Sequence, residues 1–278
     1  LAEQTEKQTQ TKPEIRKIAL NSRNVLTLKK GKMVRFISVL SGKGGVGKTT
    51  SAINLGLALH KLGADVIVLD GNLSSPNLSV HLGNTYFPVT IHDVMRADEP
   101  IQNAIYRGAN GLKIIPADIS VDSMRLVDFE KLRRNLQDLQ LFADYVIIDG
   151  SPGLGRETTQ LMNMSDSILV ITNPDKTSIV DAKRLIEFSK RLKKPILGLV
   201  VTKYKEKDHT INSNSIEKYL EMPILGKIPH DERFEKSVHQ KKPFLELYPS
   251  RKASKEYFDL ARKIIDATLI DKDLISRN

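Results

Sequence analysis

The chain has 278 residues and no cysteine, and that absence removes several kinds of chemistry at once. Without thiols there is no disulfide, no thiolate metal site and no ligand set for an iron–sulfur cluster. No stretch approaches 18 consecutive apolar residues, and the N-terminus is too polar to carry a secretory signal, so a soluble, cytoplasmic protein is expected. The six histidines, His60, His81, His92, His209, His230 and His239, show no metal-ligand spacing. No Ser/His/Asp arrangement suggests acyl transfer. There is no internal repeat and no interior linker. A composition 40% hydrophobic and 27% charged then suits one globular domain large enough to bury a substantial core.

An excess of one charge is also missing from most of the chain. The formal net charge is +10, but residues 1–35 hold nine Lys/Arg against three Glu, and the remainder carries 34 basic against 30 acidic residues, a net +4. The body is nearly balanced, so the basic pI is a poor argument for nucleic acid. Residues 1–13 are rich in Gln, Thr, Lys and Glu and are expected to be disordered. Residues 15–30 place Ile15, Ile18, Ala19 and Leu26 on one helical stripe, with Arg16, Lys17, Arg23 and Lys30 elsewhere. That pattern leaves two readings open: a basic amphipathic helix for a membrane surface or a partner, or an upstream extension with no role.

What is present begins at residue 33, where Val/Ile/Leu runs alternate with helical patterns. The runs predict strands at 34–40, 65–70, 112–116, 144–149, 167–172, 196–202 and 224–228, most of a kind buried on both faces. The patterns predict helices near 51–62, 90–105, 126–140, 156–164, 175–192, 213–220 and 232–240, with a last helix over 252–269. Such alternation means crossover units and an α/β fold, a mostly parallel twisted sheet with helices on both faces.

After the first predicted strand stands Gly42-Lys43-Gly44-Gly45-Val46-Gly47-Lys48-Thr49-Thr50, and a helical run follows it. Gly42, Gly47, Lys48 and Thr49 meet the pattern G-x-x-x-x-G-K-[ST] in the strand–loop–helix setting that the mechanism requires. Gly44, Gly45 and Gly47 let the backbone turn tightly and bring N–H groups to phosphates, and the helix N-terminus adds its positive dipole end. Lys48 supplies charge, and Thr49 offers a hydroxyl to a magnesium ion bridging the phosphates. A nucleotide and Mg2+ are the expected ligands.

Lys43, a second lysine within the loop, resembles the signature lysine of the MinD/ParA group of P-loop ATPases, and the resemblance extends over about residues 34–268. It implies an ATP-dependent homodimer with two nucleotides at the interface, each approached by the other subunit's Lys43. The strand ending at Asp70 and running into Gly71-Asn72-Leu73-Ser74-Ser75-Pro76-Asn77 resembles the group's first switch, with Asp70 holding magnesium through water. Where a second aspartate is usual this chain has Asn72, which accepts a hydrogen bond from water but cannot take its proton. Hydrolysis is therefore expected to be slow rather than absent, because positioning dominates a loose transition state.

Asp149-Gly150-Ser151-Pro152-Gly153 resembles the second metal carboxylate and its switch. Asp149 would serve the magnesium shell and the Gly153 N–H would sense the γ-phosphate. Thr172-Asn173-Pro174, Val201-Thr202-Lys203 and Ile228-Pro229-His230-Asp231 resemble adenine-side loops, with Pro229 and Asp231 beside the base and Thr202 where an asparagine is usual. Having no cysteine sets the chain apart from relatives that use thiols, such as the nitrogenase iron protein, cluster scaffolds and arsenite pump ATPases.

The expected organisation is a flexible basic segment over 1–32, an ATPase domain over 33–270 and a short tail over 271–278. Tyr257, Leu260, Ala261, Ile264 and Leu269 form a core-facing stripe, and Lys272 lies between Asp271 and Asp273. That tail does not support membrane docking, so at most a peripheral membrane contact is expected. Lys183, Arg184, Lys190, Arg191 and Lys194 flank an apolar stripe and read as a solvated face.

The resemblance implies a positioning or regulatory ATPase whose ATP-bound dimer is read by a protein partner, in division-site or motility-structure control. Two alternatives stay open. One is a DNA-partitioning ATPase of the ParA type, and the other an amidoligase or kinase acting on a small molecule.

Overall fold

The computed structural model describes residues 16–17, 34–97, 99–120, 128–205 and 211–275. Among these the strands are β1 (Arg16–Lys17), β2 (Arg35–Ser41), β3 (Val66–Asp70), β4 (Tyr106–Arg107), β5 (Lys113–Ile115), β6 (Tyr145–Pro152), β7 (Ser167–Thr172), β8 (Ile196–Tyr204) and β9 (Ile224–Pro229). The helices are α1 (Lys48–Lys61), α2 (Leu78–Leu82), α3 (Ile91–Arg96), α4 (Phe129–Leu136), α5 (Arg156–Met164), α6 (Lys176–Arg191), α7 (Ser213–Leu220), α8 (Arg233–His239), α9 (Phe244–Leu247) and α10 (Lys252–Ile275).

All nine strands join one sheet in the order β1-β4-β5-β3-β6-β2-β7-β8-β9. From β5 to β9 every pairing is parallel, and β4 and β1 extend the β5 edge antiparallel. The period of two along each strand builds two cores. In β3, Ile67 and Leu69 pack on one face and Val66 and Val68 on the other; in β6, Val146 and Ile148 oppose Tyr145 and Ile147. Helices cover both faces, so the strands read as continuous apolar runs.

β6 lies between β2 and β3, although it follows both in sequence. The carboxyl ends of these three strands therefore converge, which is where open α/β sheets bind ligands.

Each predicted strand corresponds to one of the seven parallel strands. Helix α1 starts at Lys48 rather than 51, because the loop geometry at Gly47 sets its first turn and the apolar pattern begins later. The helix expected over 90–105 divides into α3 and a 3₁₀ turn at Ile101–Ala104, with Pro100 at its start. Proline cannot donate the backbone bond that a continuous helix needs. Over 126–140, α4 gives way to a 3₁₀ turn at Gln137–Leu141, and residues 126 and 127 lie outside those described.

In the amphipathic stretch, Arg16–Lys17 form a strand on Tyr106–Arg107 instead of a helix, because β4 otherwise leaves an open sheet edge. The rest of residues 1–32 lies outside the described set. Helix α10 runs on to Ile275 without a break at residue 270. Tyr257, Leu260, Ala261 and Ile264 are buried as expected; the Leu269 side chain is not among those described. Among the described residues no helix is long and apolar enough to cross a membrane.

Candidate functional site

β2 ends at Ser41, and the chain turns through Gly42–Gly47 into α1. Gly45 and Gly47 adopt φ of 74° and 92°, where a side chain is strained. Gly42 is required for another reason, since a Cβ there would collide with Asp181 on α6. The Ser41 hydroxyl donates to the Lys43 carbonyl at 2.6 Å and braces the turn. α1 starts at Lys48 with no side-chain cap, so the loop presents the helix N-terminus directly.

The loop walls a cavity of about 740 Å³, a size suited to a nucleotide. Gly44 to Thr50 form one side, Asn72, Ser75, Asn77 and His81 a second, and Pro229, His230, Asp231, Phe234 and Tyr257 a third. The structure thus brings the loop together with Asn72, Pro229 and Asp231. It does not place Gly42, Lys43, Asp70, Asp149 or Gly153 on the cavity wall.

Lys48 is buried, and burial lowers its amine while the Asp149 charge raises it. Lys43 is exposed and donates from Nζ to Thr177 Oγ1 at 3.0 Å, at the start of α6. The two lysines of one loop therefore face different surroundings.

Asp70 and Asp149 are directly opposite in the β3–β6 register, and both are buried. Burial, and then the Asp149 charge, push the Asp70 carboxyl well above its ordinary range, against hydrogen bonds from three backbone N–H groups. Those donors are Asn72 at 3.2 Å, Asn77 at 3.1 Å and Leu78 at 3.0 Å, so Asp70 also caps α2 and shapes the loop. Burial pushes Asp149 up to about 6, with the Thr49 hydroxyl and Lys48 pulling the other way. The Thr49 contact falls short of hydrogen-bond geometry, and both Asp149 oxygens are buried without a hydrogen-bond partner.

Two orphaned carboxylate oxygens, a second buried carboxylate and a nearby threonine hydroxyl are hard oxygen donors gathered in one place. They fit a magnesium ion, which takes oxygen ligands beside phosphates. This predicts an unusual pH dependence. Because the folded value of Asp149 lies above the unfolded one, the folded protein binds more protons between about pH 4 and 6. Stability of the nucleotide-free protein should fall as pH rises through that window. The depressed carboxyls of Asp118, Asp175 and Asp231 act lower, below about pH 4. Urea titrations across pH 4–6 should show the decline, and saturating Mg-ADP should flatten it. A stability that climbs through the same window would refute the assignment.

Hydrogen bonds hold both segments that follow the aspartates. Asn72 donates its side-chain amide to the Ser75 carbonyl at 2.5 Å, and Asn77 does the same at 2.8 Å. Gly153, at φ 84°, donates its N–H to the Ser41 carbonyl at 2.9 Å.

On the third side, sequence reasoning missed how the end of β8 grips the phosphate loop. Thr202 Oγ1 donates to the Val46 carbonyl at 2.6 Å. Lys203, at φ 54°, reaches the Gly45 carbonyl at 2.9 Å. No pattern in the sequence announces a strained lysine; the contact exists because the sheet places β8 beside the loop. Asp231 is held by Arg233 at 3.3 Å and Arg251 at 3.1 Å. Burial raises its carboxyl, but bonds from Arg233 and Arg251 outweigh this and hold it below the ordinary range. Among the described residues no cluster of three or more His, Cys, Asp or Glu forms a separate metal site.

A glycine-rich loop between a parallel strand and a helix, backed by two buried aspartates opposite one another on neighbouring parallel strands, defines a P-loop NTPase. The family model that matches spans residues 32–265 and is described as ParA, a NUBPL iron-transfer P-loop NTPase. The chain belongs to this family, and more broadly to the MinD/ParA group. Thiolate-held iron has no ligands in these 278 residues, which contain no cysteine.

An uncharacterized ATP-binding protein of Methanocaldococcus jannaschii is 36% identical over 235 residues, covering 84% of this chain and 89% of that protein. The antiactivator FleN of Pseudomonas aeruginosa is 28% identical over 242 residues, covering 83% and 86%. Among solved structures, the cell division ATPase MinD of Pyrococcus furiosus superposes with a TM-score of 0.80 at 31% identity, over 84% of this chain and all of that one. MinD of Pyrococcus horikoshii, complexed with Mg-ADP, gives 0.79 at 29% identity, over 84% and 96%.

Proposed function

We propose that this chain is a nucleotide-driven switch that binds Mg-ATP, dimerises around it and hydrolyses it slowly. The separation of the two loop lysines carries the reading. Lys48 is buried beside the cavity and the aspartates, whereas Lys43 sits exposed, off the cavity wall, against Thr177. An exposed cation in the phosphate loop that does not line its own cavity supports a role for Lys43 toward the nucleotide of a facing subunit.

In this reading Lys48 and the N–H groups from Gly44 to Thr50 hold the phosphates, and Pro229 and Asp231 stand beside the base. Thr49 and Asp149, with Asp70 behind them, would hold the magnesium ion, which neutralises charge on the β- and γ-phosphates. Gly153 exchanges its bond to the Ser41 carbonyl for the γ-phosphate, a contact available with ATP and lost with ADP. That difference is what allows hydrolysis to reopen the dimer.

Relatives that are cell division ATPases support a positioning or regulatory role; in this reading the chain acts on division sites or motility structures through a protein partner that recognises the ATP-bound dimer. The protein would act in the cytoplasm, with membrane contact at most peripheral. Light scattering is expected to show a monomer without nucleotide and with Mg-ADP, and a dimer with Mg and a non-hydrolysable ATP analogue. A monomer at saturating analogue would overturn the switch.

DNA is not the expected partner. The body outside residues 1–35 is nearly balanced, and on α6 Lys183 and Lys190 already share the Glu221 carboxylate at 3.6 and 3.7 Å. With residues 1–32 removed, the ATP-bound protein should bind duplex DNA weakly and with steep salt dependence. Sub-micromolar binding at physiological salt would instead place it with the partitioning ATPases.

A further inference from the structure

Glu157 is the second residue of α5, half-buried, and no part of the cavity wall. Its carboxylate gathers three donors from two separate segments, the loop after β3 and the last residues of β6. Oε1 accepts from the Ser74 backbone N–H at 2.8 Å and from the Ser74 hydroxyl at 2.6 Å. Oε2 accepts from the Ser151 hydroxyl. Ser74 lies in the loop that follows Asp70 and contains Asn72; Ser151 lies two residues beyond Asp149 in the segment leading to Gly153. The other side-chain bonds of the first loop stay within it or run to Asp70 at the end of β3 and to α2, and the Gly71 N–H donates to the Asp149 carbonyl at 2.8 Å. The position of Glu157 in the first turn of α5 also favours a negative charge.

We infer that Glu157 is a positioning residue that ties the loop after Asp70 to the end of β6 beyond Asp149 as one unit. It stands off the cavity wall and acts through Ser74 and Ser151. A change in the contacts of Gly153 is thereby carried to the loop that holds Asn72, and the reverse. This coupling rests on the reading of both loops as nucleotide-responsive, but the tie itself exists in the nucleotide-free protein and is measurable there.

Hydrogen exchange tests it in two stages. In the nucleotide-free full chain, Glu157→Ala should speed exchange at the Ser74 N–H by roughly ten- to a hundred-fold, the scale of a lost hydrogen bond to a charged acceptor. Glu157→Gln should restore much of the protection, since its amide oxygen still accepts from Ser74. Ser74→Ala, at an exposed position, gives a second variant with little risk to folding.

The second stage titrates a non-hydrolysable ATP analogue with magnesium. In the unaltered protein, segments 71–77 and 150–155 should gain protection together. In Glu157→Ala and Ser74→Ala, segment 150–155 should respond while segment 71–77 gains several-fold less. Unchanged Ser74 exchange in Glu157→Ala would overturn the tie. Faster exchange with an unaltered joint response would overturn the coupling. An unaltered protein whose loops ignore the analogue would instead sink the switch reading on which the coupling depends.

Discussion

Lys48→Ala is expected to weaken Mg-ATP binding by roughly 10²- to 10³-fold, the scale of truncating one partner of a buried, charge-assisted contact. Lys48 is buried, and Asp149 is the charge that raises its amine. Its removal takes away both the phosphate's cation and the counter-charge of an aspartate with no hydrogen-bond partner. Lys43→Ala should behave differently. Its bond to Thr177 is exposed, so stability should change by no more than about 0.5 kcal/mol. Nucleotide affinity should stay within a few-fold, while the ATP-dependent dimer is lost. Calorimetry and light scattering on both variants separate these outcomes. A Lys43→Ala protein that dimerises normally with the analogue would end the model in which this lysine crosses the interface.

The second large effect is expected at Asn72. Restoring a carboxylate there supplies a proton acceptor near the attacking water, worth roughly 10²-fold in rate by the usual range for general-base catalysis. A loose transition state reduces the gain, because little proton transfer is needed. The structure adds a cost. The Asn72 amide donates to the Ser75 carbonyl at 2.5 Å, and an aspartate cannot donate. It would instead set a charge against that carbonyl, two residues from buried Asp70, at about 1–3 kcal/mol to the nucleotide-free loop. Asn72→Asp should therefore hydrolyse ATP faster and hold its dimer for less time, while being less stable without nucleotide. Single-turnover hydrolysis at saturating Mg-ATP decides the matter. If the variant is no faster, position 72 does not direct the water, and another group must.

Much of this architecture was legible because both signals involved are local. Seven parallel strands followed from apolar runs, since a strand covered on both faces needs apolar residues at successive positions. The phosphate loop followed from glycine spacing, since backbone turns at φ of 74° and 92° admit little else. The two-residue strands β1 and β4 escaped notice because pairs this short carry no periodicity and form only where a neighbouring edge is open. Pro100 was visible in the sequence, yet the apolar pattern around it outweighed the break it imposes.

Residue types alone were enough for the class of the protein: the loop from Gly42 to Thr49, an aspartate closing each of two apolar runs, and the lack of cysteine that excludes thiolate metal chemistry. Those features are residue types at fixed spacing, so they survive without knowledge of the fold. Long-range packing set Asp70 directly opposite Asp149, whose oxygens have no hydrogen-bond partner. It likewise decided that Thr202 and Lys203 grip the loop, and that Glu157 joins Ser74 to Ser151. Each of these contacts links segments far apart in the chain, and what brings them together is the order of strands in the sheet, which no local pattern encodes.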